Sequence, residues 1–328
     1  MLKVAGAFLI LQAVFTAGAP TDPVLGKFSE GLRYDYMETD AGDLELVDNW
    51  LKLSDYRSLA RFNADQDNVY LLFTRSNPIV GQVLQINNAA SVRSSNYSPN
   101  RRTVVLIHGF AGSATSRFNN ELVPAFLAGD DCNVIVVDWS AGSMWGPRAK
   151  AVGQAGARFV NWLMAQTGSN PNQFTIVGYS VGGHGAGILG RNMNGRPSYI
   201  IACDPADRWD DADVFQPNDG LYTEVIHTDI SSIGMTRALG HVDFYPNQGT
   251  MMPGCLTNFC NHEMSFRYIA ESMRTGGFLS RRCPTIHAAI AGNCQLAETI
   301  NMGGILPKTG RSGIFFLRTR AFSPFSQG

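Results

Sequence analysis

Phe174-Thr175-Ile176-Val177-Gly178-Tyr179-Ser180-Val181-Gly182-Gly183-His184-Gly185-Ala186-Gly187 is the stretch on which the reading of this chain turns. A short apolar run, Phe174 to Gly178, leads directly into Gly178-Tyr179-Ser180-Val181-Gly182, a G-x-S-x-G, and small residues with helical character follow. A strand that becomes a helix across one residue leaves no room for side chains beside the turn. Glycine therefore flanks the apex, and the serine is expected to be strained, with its hydroxyl exposed. The motif alone is weak evidence; the apolar strand directly before it is what marks a nucleophile elbow. The same stretch holds a rival, because Gly185-Ala186-Gly187-Ile188-Leu189-Gly190 spells G-x-G-x-x-G with Asp204 downstream. In a dinucleotide-binding fold those glycines form the turn itself. Here they begin seven residues past the strand, inside the helix, where small residues let a helix pack close to a sheet.

Outward from this elbow, Thr103 to His108 (TVVLIH), Asn133 to Asp138 (NVIVVD), Tyr199 to Cys203 (YIIAC) and Glu224 to Thr228 (EVIHT) are further short apolar runs. Continuous apolar runs of this length suit parallel strands buried on both faces. Helical patterns lie between them, the clearest being Arg148 to Gln166 with Val152, Phe159, Val160 and Leu163 on one side. Val69 to Arg75 is β-rich and expected to stop at Asn77-Pro78, and Ile314 to Arg320 reads as a last strand. Such alternation predicts an α/β-hydrolase fold: a doubly wound, mostly parallel sheet with a nucleophile elbow, in one catalytic domain over 61–328.

The chain has 328 residues, 45% of them hydrophobic and 16% charged, enough to bury a sizeable core. Its 26 basic and 27 acidic residues give a net charge of −1 with no basic run, so nucleic acid is not an expected partner. Met1 to Lys3 is a short positive start, and Val4 to Ala19 is uncharged and apolar, ending in Ala17-Gly18-Ala19. This predicts a secretory signal peptide over 1–19, shorter than the roughly 20 apolar residues of a bilayer span, and hence a secreted protein without a transmembrane segment. Residues 20–60 form an N-terminal extension, acidic from Asp35 to Asp48, with no clear element; it is either ordered packing or a removable propeptide.

Export makes pairing the default for an even number of cysteines, here six. Cys255 and Cys260 enclose four residues, and Cys283 and Cys294 enclose ten, so Cys255–Cys260 and Cys283–Cys294 are the expected disulfides. Cys132 and Cys203 stay open between a third bridge and buried thiols. No Cys-x-x-Cys or His-x-x-x-His spacing occurs, so neither a metal nor another cofactor is expected. Asn96-Tyr97-Ser98 is the single N-glycosylation sequon, followed by Pro99.

A serine nucleophile needs a base and an acid, arriving in this fold class in the order Ser, acid, His. Asp204 directly follows the run YIIAC, at the carboxyl edge of the sheet where Ser180 also belongs; Asp229, after EVIHT, is the runner-up. Of six histidines, His241, His262 and His287 follow both acids, while His227 sits in a strand and His184 in the helix after the serine, where core or cap roles are expected. His262 lies two residues past Cys260 and opens a helical stretch, HEMSFRYIAESM, so a disulfide would pin the loop that positions it.

The text at 67–78 (DNVYLLFTRSNP), 103–113 (TVVLIHGFAGS), 133–140 (NVIVVDWS), 174–187, 203–206 (CDPA), 224–229 (EVIHTD), 240–249 (GHVDFYPNQG), 253–255 (PGC) and 260–262 (CNH) resembles, in order, the neutral (pancreatic-type) animal lipase and phospholipase A1 family, particularly its single-domain insect members. The resemblance implies a triad of Ser180, Asp204 and His262, preferring Asp204 over Asp229. It also implies an oxyanion hole from the backbone N–H groups of Phe110 and Val181. By the same resemblance a long lid lies between two cysteines ahead of the histidine in triglyceride-hydrolysing members, whereas only four residues separate Cys255 from Cys260. The segment Ala206 to Phe215 is also short for the family. Both departures point to the phospholipase A1 members, acting as a monomer on phospholipid or another lipid ester at a membrane or micelle surface.

Of the family's calcium-binding acidic positions, Asp219 is retained and Gln216 stands where an acid is expected, while Asp210, Asp211 and Asp213 read as a solvated loop. Around the base, Asn261, Glu263 and Met264 replace the usual Ser-His-x-Arg-Ala pattern. A triacylglycerol or galactolipid lipase is the alternative enzyme. A catalytically silent lipid-binding or storage protein, like the insect yolk proteins that share the fold without the nucleophile, is the alternative of another class.

Overall fold

The computed structural model describes residues 62–327 apart from Trp145 and 208–211, together with the backbone of two strands nearer the N-terminus. Those two, β1 (Tyr34–Glu38) and β2 (Leu44–Asp48), pair antiparallel with Tyr34 opposite Asp48. They give the acidic part of the extension a hairpin that its weak periodicity did not announce. The expected signal peptide and most of the extension lie outside the described residues.

Eleven strands form the main sheet: β3 (Val69–Thr74), β4 (Asn77–Leu84), β5 (Thr103–Ile107), β6 (Asn133–Asp138), β7 (Phe174–Tyr179), β8 (Tyr199–Cys203), β9 (Thr223–Ile226), β10 (Val242–Pro246), β11 (Phe278–Cys283), β12 (Thr299–Met302) and β13 (Gly313–Leu317). Their order is β12-β11-β13-β10-β9-β8-β7-β5-β6-β3-β4. From β13 across to β6 neighbouring strands are parallel, and the pairs at either end, β11–β12 and β3–β4, run antiparallel.

Burial on both faces explains the continuous apolar text. In β5, Val104 and Leu106 enter one core while Val105 and Ile107 enter the other, and in β8 Ile201 and Cys203 oppose Ile200 and Ala202 in the same way. Helices α1 (Arg117–Gly129) and α4 (Asn258–Thr275) cover the first face; α2 (Ala149–Thr167) and α3 (Val181–Arg191) cover the second. Val152, Phe159, Val160 and Leu163 of α2 are all buried there, as their spacing requires. Helices α2 and α3 touch through glycine: a Cβ on Gly153 would stand 2.5 Å from the carbonyl oxygen of Gly185. The small residues that spell the dinucleotide pattern thus serve close packing.

Strands β4, β10, β11 and β12 of the main sheet escape the apolar reading. Asn77-Pro78 does not end the β-structure; β4 begins there, because Asn77 closes the turn by donating to Leu72 O and Val80 O and accepting from Thr74 Oγ1. Strand β4 is the outermost, where the missing N–H of Pro78 costs the sheet little. In β10 the charged Asp243 interrupts the run, although it is buried and takes N–H groups from Leu239 and Gly240. Strand β11 alternates buried and exposed positions and lies near the other edge.

Disulfides join Cys255 to Cys260 and Cys283 to Cys294. Cys132 and Cys203 are buried free thiols, and burial pushes the Cys132 thiol up to about 12. Among the described residues no helix is long and apolar enough to cross a membrane.

Replacing Gly153 by Ala should force α2 away from α3. We expect a loss of about 1–3 kcal/mol, seen as a thermal midpoint lowered by several degrees in circular dichroism. An unchanged midpoint would contradict the glycine contact.

Candidate active site

Ser180 is the single residue between β7 and α3, and its backbone sits at φ 57°, ψ −126°. Positive φ in a non-glycine residue stores strain, and here the surroundings enforce it. A Cβ on Gly178 would lie 2.1 Å from Gly182 O, and one on Gly182 would lie 2.4 Å from the carbonyl oxygens of both Ile107 and His108. The serine N–H donates to Cys203 O at 3.0 Å, tying the elbow to the end of β8. The expected exposure of the hydroxyl is corrected: Ser180 is only 6% exposed. The loop after β5 closes over it, and a Cβ on Gly109 would stand 3.1 Å from Ser180 Cβ.

Asp204 follows β8 immediately, also at positive φ (43°), and its Oδ2 accepts from His262 Nδ1 at 2.6 Å with both side chains buried. Its other oxygen accepts the N–H groups of Thr228 (2.7 Å) and Asp229 (3.2 Å). With Nδ1 engaged, Nε2 is the imidazole nitrogen left for proton transfer. The ring of Tyr179, next to the serine, lies 4.6 Å from that of His262. Among the described residues no hydrogen bond joins Ser180 Oγ to His262; such contacts commonly tighten only when substrate arrives.

Asp229, the other candidate acid, is turned to its own loop, accepting from Ile233 N and Ser231 Oγ. Burial, and then the charge of Asp204, raises it to about 6. His241 binds Thr223 at the opposite end of the sheet, where β9 begins, and His287 lies on a helical turn at Ile286–Ile290 after β11.

Helix α4 starts at Asn258, four residues before His262, so His262 is one turn inside the helix rather than at its opening. Thr257 caps the helix by accepting from Cys260 N. The residues that depart from the family pattern are each engaged. Asn261 Oδ1 accepts from Met252 N at 2.9 Å, Glu263 pairs with Arg117 and Arg267, and Met264 is buried in the core.

The N–H of Val181 heads α3, one of the helix's unbonded N-terminal donors. The N–H of Phe110 has no acceptor among the described residues. Around Phe110, His108 Nδ1 donates to Gly109 O and its Nε2 accepts from Trp139 N. Trp139 Nε1 returns a bond to His108 O, and the two rings stack at 5.2 Å. Asp138 adjoins them. Burial alone would raise its carboxyl, but hydrogen bonding, including that from Ser140 N at 3.0 Å, outweighs this and holds it low.

Two positions escaped the sequence reading. A Cβ on Gly234 would lie within 2.4–2.6 Å of the Asp204 carboxylate, so glycine there is what lets the 229–240 loop close over the acid. His108 is marked by nothing except its place at a strand end. His184, expected in a core or cap role, donates from Nε2 to Ala206 O and accepts at Nδ1 from Phe215 N. It thereby clamps both ends of the 206–215 segment. Burial lowers it to about 4, so it is neutral at pH 7.

The retained acid of the family's calcium set does not fit a cation here. Arg191 reaches both oxygens of Asp219, at 2.8 and 2.9 Å, and donates to Val214 O, so the chain itself supplies the positive charge. Asp213 pairs with Lys150, and Asp210 and Asp211 lie outside the described residues. Asn96 is exposed, its Nδ2 donating to Asn77 Oδ1 at 3.0 Å.

Between about pH 6.5 and 4 the unfolded chain protonates His184 and the folded one does not. That contribution to stability is therefore present above pH 6.5 and lost as pH falls toward 4, by an amount on the order of 3 kcal/mol. The raised Asp229 works in the opposite sense. We expect His184→Gln to flatten the fall of the thermal midpoint over this window; a slope matching the parent's would refute it. Arg191→Met should destabilise by about 3–5 kcal/mol by stranding a buried carboxylate, whereas EDTA should leave the parent's midpoint unchanged.

The family model described as Lipase matches residues 40–325. Pancreatic lipase-related protein 2 of Cavia porcellus is 33% identical over 231 residues, covering 65% of this chain and 53% of that protein. Pancreatic triacylglycerol lipase of Sus scrofa is 30% identical over 311 residues, covering 80% and 68%. The chain thus spans between about half and two-thirds of the length of these curated relatives. A solved α/β serine hydrolase of Xanthomonas campestris is 18% identical, covering 55% of this chain and 84% of that one at a TM-score of 0.35. The family model runs from ahead of β2 to beyond β13, and the chain belongs to the Lipase family.

Proposed function

We propose that this chain is a secreted serine esterase of lipid esters, with Ser180 as nucleophile, His262 as general base and Asp204 as its orienting acid. The observation that carries the reading is the buried 2.6 Å bond from His262 to Asp204 beside a serine held in strain at the elbow. His262 Nε2 takes the Ser180 proton as Oγ attacks the ester carbonyl, and Asp204 stabilises the imidazolium that forms. The N–H groups of Phe110 and Val181 receive the oxyanion, each worth about 3 kcal/mol in such sites. The imidazolium then gives its proton to the departing alcohol. Water, deprotonated by His262, attacks the acyl-enzyme, releasing the fatty acid and restoring Ser180.

Within this class the favoured substrate is the sn-1 acyl ester of a glycerophospholipid. The support is the turn from Cys255 to Cys260, whose Cα atoms are 5.4 Å apart; four residues so tied cannot cover an acyl pocket. Triacylglycerol hydrolysis is the second reading, favoured by the name of the relative from Sus scrofa. The catalytic domain is residues 61–328, acting as a monomer after removal of 1–19, with Asn96 as its glycan acceptor.

The deciding experiment compares the protein with Ser180→Ala on phosphatidylcholine bearing different acyl chains at sn-1 and sn-2, and on triolein. We expect sn-1 release that exceeds triolein turnover and vanishes in the variant. Faster triolein turnover would overturn the phospholipid reading, and no serine-dependent activity on either lipid would favour a binding protein. Gly234→Ala, which crowds the Asp204 carboxylate, should lower kcat by about 10- to 100-fold with the fold retained.

A further inference from the structure

One aromatic ring joins the elbow to His262. Tyr179 is the last residue of β7 and directly precedes Ser180, and its ring centroid lies 4.6 Å from that of His262 at a tilt of 39°, nearer to stacked than to edge-on. Both side chains are buried. The tyrosine ring is itself braced by three elements. Phe118 of α1 stacks on it at 5.8 Å, and Phe266 of α4, one turn past His262, meets it edge-on at 4.9 Å. Phe118 and Phe266 also touch each other, at 5.7 Å. On the loop after β5, a Cβ on Gly109 would stand 3.1 Å from Tyr179 Cδ1, so glycine there lets the loop close on the ring.

Packing asks only for an apolar side chain of this size at 179; an aromatic ring adds an electrostatic contribution. Its face is electron-rich and attracts a cation within about 6 Å of the centroid, most strongly where water is excluded. In the esterase reading His262 becomes such a cation when the Ser180 Oγ–H bond breaks and the proton passes to Nε2. The charged groups facing it are Asp204, bonded to Nδ1, and Asp229 on the loop after β9. On α4 itself Glu263 is paired with Arg117 of α1 and with Arg267, which also pairs with Glu121 of α1. These groups stay the same whichever ring stands at 179, so they cancel in a comparison among rings.

We infer that Tyr179 is a positioning residue for His262, whose ring holds the imidazole beside Ser180 and favours the imidazolium that forms there. The inference deepens the esterase reading and rests on it for the charge that His262 acquires. Tyr179 thereby serves both partners of the proton transfer. Its backbone leads into the strained serine, and its side chain supports the group that takes the serine proton.

The test compares rings of one shape and different electron density at position 179. Tyr179→Phe is the reference, and trifluorophenylalanine in its place keeps the shape while drawing electrons from the face. Protonation of His262 is followed by NMR with isotope-labelled histidine, its signal assigned by its loss in His262→Gln, and kcat and KM are measured on soluble p-nitrophenyl butyrate. Against the reference, the fluorinated ring should lower the pH midpoint of the His262 signal by about 0.5–1 unit and kcat by about 3- to 10-fold. KM and the thermal midpoint should not change, because the charge arises only after substrate is bound. Equal midpoints and equal kcat for the two rings overturn the inference, and so does either change without the other. A midpoint that moves as expected, beside a parent with no serine-dependent turnover, would leave the ring contact standing and remove the esterase reading instead.

Discussion

Backbone atoms at the elbow approach one another more closely than any side chain would permit, and the architecture around the site is arranged about that approach. Positions 178 and 182 face carbonyl oxygens at 2.1 and 2.4 Å from where a Cβ would stand. Helix α3 can therefore leave β7 only if both are glycine and Ser180 alone absorbs the reversal. The cost of its positive φ, on the order of 1–3 kcal/mol, is met by the packing of α3 on β5 and β8 and by the serine N–H bound to Cys203 O. Because Cys203 immediately precedes Asp204, the same contact sets the spacing between Ser180 and Asp204.

Asp204 depends in turn on a shell of loop backbone. Two N–H groups from the end of β9 hold one oxygen, His262 holds the other, and Gly234 passes over the carboxylate. The loop bearing Gly234 is braced by a second His–Asp pair: His227 joins Asp243 at 2.9 Å and Met235 O at 2.8 Å, and Asp243 collects the N–H groups of Leu239 and Gly240. A buried carboxylate that accepts three hydrogen bonds from fixed donors has little freedom to rotate. Orientation of the imidazole is thus set two residues deep, in groups that do not touch the ring itself.

What the sequence disclosed followed from how local each cause is. Val104 to Ile107 and Ile200 to Cys203 reveal themselves because burial on both faces demands apolar side chains at every position. Ser180 reveals itself because the steric requirement falls on residues two away. Asp243 hid β10 since its partners, His227 and the 239–240 backbone, converge only in the folded chain. Pro78 hid β4 because its compatibility with a strand depends on lying at the rim of the sheet. Gly234 and His108 act across space on residues 30 and 31 positions away, and no local pattern records such a contact. The near-complete burial of Ser180 is likewise invisible in its own motif, being imposed by the loop after β5.

Strand β4 bears on how the protein behaves at high concentration. It ends the sheet with Ile79 and Val80 turned to solvent, the kind of rim along which a second chain could add itself strand by strand. Pro78 removes one donor from that strand, while the Asn77 side chain turns inward to Leu72 O of β3 and to Val80 O. The first two residues of β4 are thereby committed to the turn with β3, and a strand adding along that rim meets a position without a donor at Pro78.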